Sequence, residues 1–227
     1  MKIPAAPHAA AAVLAALALA GCASPEPPRI YTLQADAPAS AAGAGRSATS
    51  AAAPGATAIP VPDAGAAPAF VDIAPVVVPE RMRRRQIMLR DDAARLRVLE
   101  QDRWAASLPD ELHDAIAAGL KARYGMVDVS QTGLAGGRPV YRISIEFSAL
   151  DAREGGDVSA AVAWSVRPLA DTRAGLVCHL DLGVPAGDTI GAVVAAHQRL
   201  VGELVDALAA SRRAAEQGGA APSWAAG

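Results

Sequence analysis

The residue with the clearest chemistry is Cys22. The run Leu19-Ala20-Gly21-Cys22 has the form of a bacterial lipobox, in which small residues precede a cysteine that is acylated and becomes the new N-terminus. Before it stand Met1-Lys2 and the apolar run Ala9 to Ala20, which is too short to span a bilayer. We therefore predict that residues 1–21 are a signal peptide and that Cys22 is the lipidation site. The alternative is an ordinary secretory peptide that leaves Cys22 as a free thiol.

Acylation would fix the location of the mature chain, because several acyl chains on one cysteine anchor a protein stably. In the enteric sorting rule an Asp after the cysteine retains a lipoprotein at the inner membrane, so Ala23 favours the outer membrane. We expect a lipid anchor at the periplasmic face of the outer membrane of a Gram-negative bacterium. Cys178 then lacks an intrachain partner, and its inward position on a predicted strand favours a small buried hydrophobe over a reactive thiol.

The remaining chemistry-bearing residues form no catalytic or metal-binding motif. His113, His179 and His197 have no second ligand or base at an informative spacing, so we predict solvated structural roles for them. The glycine-rich stretch 133–137 lacks the Lys-Ser/Thr pair of a phosphate loop, and Asp91-Asp92 lie in a predicted turn. We predict that the chain is not an enzyme and that it holds no metal and no cofactor.

Charge points to one candidate contact surface. The net charge is -2, from 21 Lys and Arg against 23 Asp and Glu, which disfavours nucleic acid as a partner. One dense basic cluster stands out, which we call the Arg81–Arg85 patch. It is either the solvated cover of an edge strand or a contact for an acidic protein or anionic lipid headgroups. Trp104 lies just before a predicted helix. We expect its side chain either to pack in the core or to make a functional contact.

The elements that position these residues are concentrated after residue 70. Although 52% of the chain is hydrophobic, much of that fraction is Ala, and the larger aliphatic side chains cluster in the second part. Residues 36–69 consist almost entirely of Ala, Pro, Gly, Ser and Thr, which predicts a disordered linker. Before it, residues 22–35 form the lipidated N-terminus, with a strand predicted over Arg29 to Gln34. Residues 70–212 are the predicted domain, and 213–227 a flexible tail.

Hydrophobic periodicity predicts the fold class of that domain. Period-two alternation and β-branched residues predict strands over 70–78, 86–89, 95–99, 141–147, 158–166 and 176–182. Apolar stripes and capping residues predict amphipathic helices over about 108–124 and 189–212. Together these elements predict a single α+β domain in which two amphipathic helices pack on an antiparallel or mixed sheet.

Three short motifs, taken in order, resemble a known family. The lipobox is followed by Ile30-Tyr31-Thr32-Leu33, then by Val76-Val77-Val78-Pro79-Glu80, and then by Arg103-Trp104-Ala105-Ala106-Ser107-Leu108. This order is similar to that of the PqiC-like ABC-type transport auxiliary lipoproteins. The resemblance covers the mature chain except the linker and the tail. Besides Cys22, the candidate interface residues are Tyr31, Leu33, Val78, Pro79, Glu80, Arg83, Arg84, Arg85 and Trp104.

The resemblance implies a non-catalytic outer-membrane lipoprotein that works with a periplasmic MCE-domain protein in the transport of lipid or another hydrophobic compound. Such systems are driven by an ABC permease and ATPase or by a PqiA-like membrane protein, and they support envelope integrity. The alternative is a periplasmic lipid-binding carrier lipoprotein, which requires an internal apolar pocket of roughly several hundred Å³. An envelope hydrolase would need a nucleophile and a base that the sequence does not display. Self-association of the chain stays open.

Overall fold

Eight β-strands and two α-helices make up the part of the chain that the structure describes. The structure is a computed structural model, and it describes residues 27–34, 69–133, 136–170 and 175–218. The predicted lipidation site Cys22, nearly all of the predicted linker and residues 219–227 lie outside the described residues.

The strands form two mixed sheets. Their bounds are β1 Arg29–Tyr31, β2 Ala69–Ile73, β3 Gln86–Arg90, β4 Leu96–Trp104, β5 Met126–Asp128, β6 Val140–Ala152, β7 Asp157–Pro168 and β8 Leu176–Pro185. The small sheet has the order β1-β4-β3, and the large sheet has the order β5-β2-β6-β7-β8. β1 runs parallel to β4, and β2 runs parallel to both of its neighbours, while the other pairs are antiparallel. The predicted α+β class is confirmed, with the strands divided between two sheets.

The long hairpin of β6 and β7 supplies much of the core. Successive side chains of a strand point to opposite faces, so its alternating apolar residues all face inward. Tyr141, Ile143, Ile145 and Phe147 on β6 are each at most 2% exposed. The hairpin turn contains Gly155, whose φ of 64° lies in the left-handed region that favours glycine.

Helix α1 spans Leu108–Tyr124, as predicted. Ser107 precedes it in extended conformation, and Asp110 and Glu111 lie in its first turn, where the helix dipole favours negative charge. At its other end Gly125 adopts the left-handed conformation with φ 61° and donates its N–H to the helix carbonyls of Leu120 and Lys121.

Helix α2 spans Ile190–Glu216, so it ends later than predicted. Thr189 caps it by accepting the Ala192 N–H at 3.2 Å. The predicted tail beginning at residue 213 is therefore wrong for residues 213–216. Ala is the best helix former, and Arg212 pairs with Glu216 one turn later at 2.8 Å, so the last turn is stable.

The strand predicted over residues 70–78 is interrupted. β2 ends at Ile73, although the Ala74 N–H still donates to the Ile143 carbonyl of β6 at 2.9 Å. The next bond to β6 comes from the Val77 N–H, which donates to the Ile145 carbonyl at 3.0 Å. Pro75 has no N–H to continue the ladder on the β5 side, where the last donor is the Ile73 N–H, bonded to the Asp128 carboxylate at 3.1 Å. Val78 is nonetheless buried, and a short 3-10 helix follows over Glu80–Met82.

Candidate functional site

The N-terminal segment, residues 29–34, is docked onto the folded domain. β1 pairs with β4 so that Arg29 lies opposite Asp102 and Tyr31 opposite Trp104. Beyond the strand, the Ala105 N–H donates to the Tyr31 carbonyl at 2.7 Å. The strand predicted here is thus present over Arg29–Tyr31, and the chain continues in extended form to Leu33, which is only 1% exposed.

Asp102 holds the first half of this segment. Its carboxylate accepts two hydrogen bonds from the Arg29 guanidinium, at 2.7 and 2.8 Å, and one from the Tyr31 hydroxyl at 3.0 Å. The hydrogen bonds from Arg29 hold the pKa of Asp102 below its usual range, against the opposing effect of burial. Burial, together with the hydrogen bond to this carboxylate, raises the pKa of Tyr31. Asp102 is therefore a charged anchor beneath β1.

Glu111 holds the second half. One of its carboxylate oxygens accepts from the Thr32 hydroxyl and from the Leu33 N–H, both at 2.9 Å. Its other oxygen accepts from the Ala106 N–H, also at 2.9 Å. Glu111 is only 7% exposed, so these three donors replace water around a buried carboxylate. This residue joins the N-terminal segment, the end of β4 and the first turn of α1.

Sequence reasoning missed both carboxylates. Asp102 and Glu111 each occupy a position that points inward, the former two residues before Trp104 on β4 and the latter beside Leu112 on α1. A charged side chain at an inward position is a signal that a partner must exist. The signal does not identify the partners in the N-terminal segment, because those donors lie more than 70 residues away along the chain.

Trp104 belongs to the core. It is 3% exposed, and its ring lies edge-on to the His197 ring with 5.4 Å between centroids. The prediction of a solvated His197 is wrong, because this residue is 6% exposed on the inner face of α2. Burial lowers the pKa of His197 to about 4, so the ring is neutral at pH 7. Cys178 is also buried, as predicted.

The Arg81–Arg85 patch immediately precedes β3, an edge strand of the small sheet, so its arginines are solvated as in the first interpretation but do not lie on the strand itself. Arg83 and Arg84 are exposed, and Arg83 lies 3.3 Å from Glu80. Arg85 differs, because its guanidinium donates to the Trp104 carbonyl at 3.2 Å and to the Ala105 carbonyl. All three arginines are exposed, and Arg85 is the one whose hydrogen bonds join the start of β3 to the end of β4. Pro79 is the N-cap residue of the adjoining 3-10 helix, Glu80–Met82.

An open groove of about 560 Å³ lies between residues 72–76 and the first two turns of α1. Its strand wall carries Asp72, which pairs with Arg142 at 2.6 Å. Its helix wall carries Pro109, Asp110, His113 and Asp114. A separate small cavity of about 30 Å³ lies beside Trp104 and His197, with room for about one water molecule.

The described residues provide no cluster of three or more His, Cys, Asp or Glu side chains that could hold a metal ion. The His113 ring lies 3.5 Å from the Asp128 carboxylate, and Asp128 also accepts from the Ser130 hydroxyl at 2.9 Å. In the part of the chain that the structure covers, neither helix is long and apolar enough to cross a membrane.

Solved structures share this fold. A structure described as an uncharacterized protein matches with a TM-score of 0.53 and 15% identity, covering 62% of this chain and 90% of its own. A protein of Xanthomonas campestris matches with a TM-score of 0.51 and 14% identity, covering 71% of this chain and 95% of its own. At such low identity these matches show the fold alone. Among curated proteins, none matches the sequence significantly.

The sequence itself shows the family. Residues 50–209 match the family model described as the ABC-type transport auxiliary lipoprotein component. The chain belongs to this family, which agrees with the resemblance seen in its short motifs. The family is one of transport auxiliary components that are lipoproteins.

Proposed function

We propose that this protein is the non-catalytic lipoprotein subunit of an MCE/ABC-type intermembrane lipid transport system. In this role it is anchored in the outer membrane through acylated Cys22, docks the periplasmic MCE component there and supports envelope integrity. The family match supports an auxiliary role in transport, and the lipobox supports the anchor. The docked N-terminal segment is the structural observation that gives the proposal its strongest support.

That segment limits how far the domain stands from its anchor. Six residues, Ala23 to Pro28, separate Cys22 from Arg29. At about 3.3 to 3.6 Å per residue, the path from Cys22 to Arg29 reaches at most about 25 Å. Because Asp102 and Glu111 fix residues 29–33 to the domain, the predicted linker adds nothing to this distance. In this proposal the domain therefore stays close to the membrane, an arrangement that we call the collar model. The MCE-domain protein must then come to the membrane surface to reach it.

The described cavities do not favour the lipid-carrier alternative. A carrier needs an enclosed apolar pocket of roughly several hundred Å³. The cavity beside Trp104 holds about 30 Å³. The larger groove is open, and charged side chains including Asp72, Asp114 and Arg142 line it.

Tether length is the property to test. The Cys22→Ala variant should appear in the soluble periplasmic fraction or stay unprocessed, whereas the wild type stays with the outer membrane. A flexible insertion of about 15 Gly and Ser residues after Pro27 should leave the protein in the membrane but weaken its cross-linking to the MCE-domain protein and lower detergent resistance of the cells.

The matched control is the same insertion after Gly43, within the predicted linker. Because that position follows the docked segment, cross-linking and detergent resistance should stay at the wild-type level. Equal function of both insertion variants would contradict the collar model. A mature protein with unmodified Cys22 would contradict the anchor.

A further inference from the structure

The outer edge of β8 has no strand partner within the described residues, because β8 is the last strand of the large sheet. Just past the strand, the Ala186 N–H donates to the Gly156 carbonyl at 2.9 Å. Bonded and non-bonded pairs alternate along an antiparallel ladder, so the even-numbered residues of β8 are the ones that bond to β7. The odd-numbered residues therefore turn their N–H and C=O groups to the outer edge: Val177, His179, Asp181 and Gly183.

This edge is long and lacks the features that keep other edges from pairing. Such edges are usually short, bulged, or marked by Lys or Pro. β8 has 10 residues, pairs with β7 without a register shift, and carries its one proline at its last position, Pro185. The Pro185 carbonyl accepts from Arg199 at 2.7 Å, and in the part of the chain that the structure covers nothing else bonds to the outer edge. The backbone of β8 is thus available to one more strand.

An open groove of about 330 Å³ follows the same edge on the helix side of the sheet. Its lining is largely apolar, with two leucines of β8 and two small residues of α2: Leu180, Leu182, Ala207 and Ala210. Of the two acids beside it, Glu203 is exposed to water and Asp206 pairs with Arg123 at 2.8 Å. An added strand would therefore find apolar contacts beside the backbone groups.

A second copy of β8 fits this edge in one antiparallel register. With a twofold axis at Leu180, each His179 lies opposite Asp181 of the second copy, where an imidazole N–H can donate to the carboxylate. Each Val177 then lies opposite Gly183, above which the space is open. Val177 is 75% exposed, more than any other large apolar side chain in the described part of the chain. This register would cover it.

The neighbouring registers fit less well. An axis at His179 sets two imidazoles opposite each other, and an axis at Asp181 sets two carboxylates opposite each other, which is destabilising. A register that pairs odd with even residues would turn the apolar side chains of one copy to the solvent face of the other. Only the axis at Leu180 satisfies the backbone, the charges and the apolar face together.

The helices leave room for this pairing. α2 packs on both β7 and β8, so its axis lies over the space between them. With strands about 4.8 Å apart, the α2 helices of two paired copies would lie about 10 Å apart. Packed helices are separated by about 8 to 10 Å, and Ala207 and Ala210 present small side chains at this contact.

We propose that two copies of this protein associate through β8 in the antiparallel register centred on Leu180. The pairing joins two five-stranded sheets into one continuous sheet, with both α2 helices on the same face. This inference goes beyond the transport role proposed above and does not depend on it.

A disulfide at the symmetry axis tests the register. In the mature chain, residues 22–227, the substitutions Cys22→Ala and Cys178→Ala remove both cysteines, and Leu180→Cys then adds one thiol at the axis. Non-bonded antiparallel pairs have Cα atoms about 4.5 Å apart, within the range of about 4.4 to 6.8 Å for disulfides. Mild oxidation should therefore give a covalent dimer as the main product.

The matched control is Val177→Cys in the same background. Position 177 is more exposed than position 180, but in this register it lies about 20 Å from its counterpart at about 3.3 Å per residue. This variant should stay mostly monomeric after oxidation. Equal dimer yields at the two positions would overturn the proposed register.

Exchange of the two polar side chains tests the pairing without a cross-link. His179→Asp sets carboxylates opposite each other and should raise the dimer dissociation constant about tenfold in sedimentation equilibrium at low salt. The double substitution His179→Asp, Asp181→His restores the pair and should return the constant to the wild-type value. Both positions are exposed, so the fold should be unaffected.

A wild-type chain that stays monomeric at millimolar concentration would overturn the proposal. So would an unchanged constant in the single variant, or no recovery in the exchange variant. None of these outcomes would alter the tether-length result, so the two proposals fail separately.

Discussion

Glu111 shows how one residue can join three parts of the chain. Its buried carboxylate accepts from the Leu33 N–H, the Thr32 hydroxyl and the Ala106 N–H. A donor that loses a charged acceptor in a buried site costs more than an exposed hydrogen bond. The carboxylate therefore holds the N-terminal segment in addition to the apolar burial of Leu33.

The substitution Glu111→Ala should lower the free energy of unfolding by about 2 to 4 kcal/mol, because three donors lose their acceptor. Urea unfolding measures this loss, and hydrogen exchange at the Leu33 amide should accelerate. Glu203→Ala, at an exposed position of α2, is the control and should change stability by less than about 0.5 kcal/mol. Unchanged exchange at Leu33 in the Glu111 variant would show that another contact holds the segment.

At the scale of the elements, Arg85 has a different role from the other arginines of the Arg81–Arg85 patch. It donates to two carbonyls at the end of β4, so Arg85→Gln should cost about 1 kcal/mol in thermal or urea unfolding. The double substitution Arg83→Gln, Arg84→Gln should leave stability nearly unchanged. It should slow association with the proposed MCE-domain partner at low salt. Two results would contradict these different roles: an equal loss of stability in the Arg85 variant and the double variant, or an unchanged association rate in the double variant.

The helices and the long hairpin were predictable because their signals are local. The stripe Leu112, Ile116 and Leu120 and the left-handed Gly125 fix α1 without reference to the rest of the chain. The placement of β1 was not predictable, because its partners Asp102 and Glu111 are distant in sequence. Parallel pairing of β1 with β4 also leaves no turn signal in the sequence.

The burial of His197 was available in the sequence but was overlooked. It lies four residues after Val193 and four before Val201, so all three share the inner face of α2. The open groove follows from the interruption at Pro75, which predicts the end of a strand but not the helix that faces it.

For the whole molecule, the neutral His197 predicts a dependence of stability on pH. Its pKa falls from an ordinary value near 6.5 in the unfolded chain to about 4 in the folded one. The unfolded state therefore binds the proton first, and stability is lost as pH falls below about 6.5. The loss from this group should reach about 2 kcal/mol between pH 7 and pH 5.

Urea unfolding at both pH values tests this prediction. His197→Phe keeps an aromatic ring against Trp104 and removes the titrating group. It should therefore reduce the loss of unfolding free energy between pH 7 and pH 5 by about 2 kcal/mol. His179→Gln, at an exposed position of β8, should keep the wild-type dependence. The same slope in the wild type and the His197 variant would mean that other groups cause the acid sensitivity.

The separation of 73 residues between Arg29 and Asp102 has a consequence for proteolysis. A cut anywhere between Gln34 and Ala69 divides the polypeptide into an N-terminal peptide, which carries the proposed lipid anchor, and a domain, yet hydrogen bonds and the burial of Leu33 still hold the two together. Attachment to the membrane through the proposed anchor would then cease to be covalent and become a binding equilibrium. After such a cut, the dissociation rate of the docked segment, residues 29–34, would set how long the domain stays at the membrane.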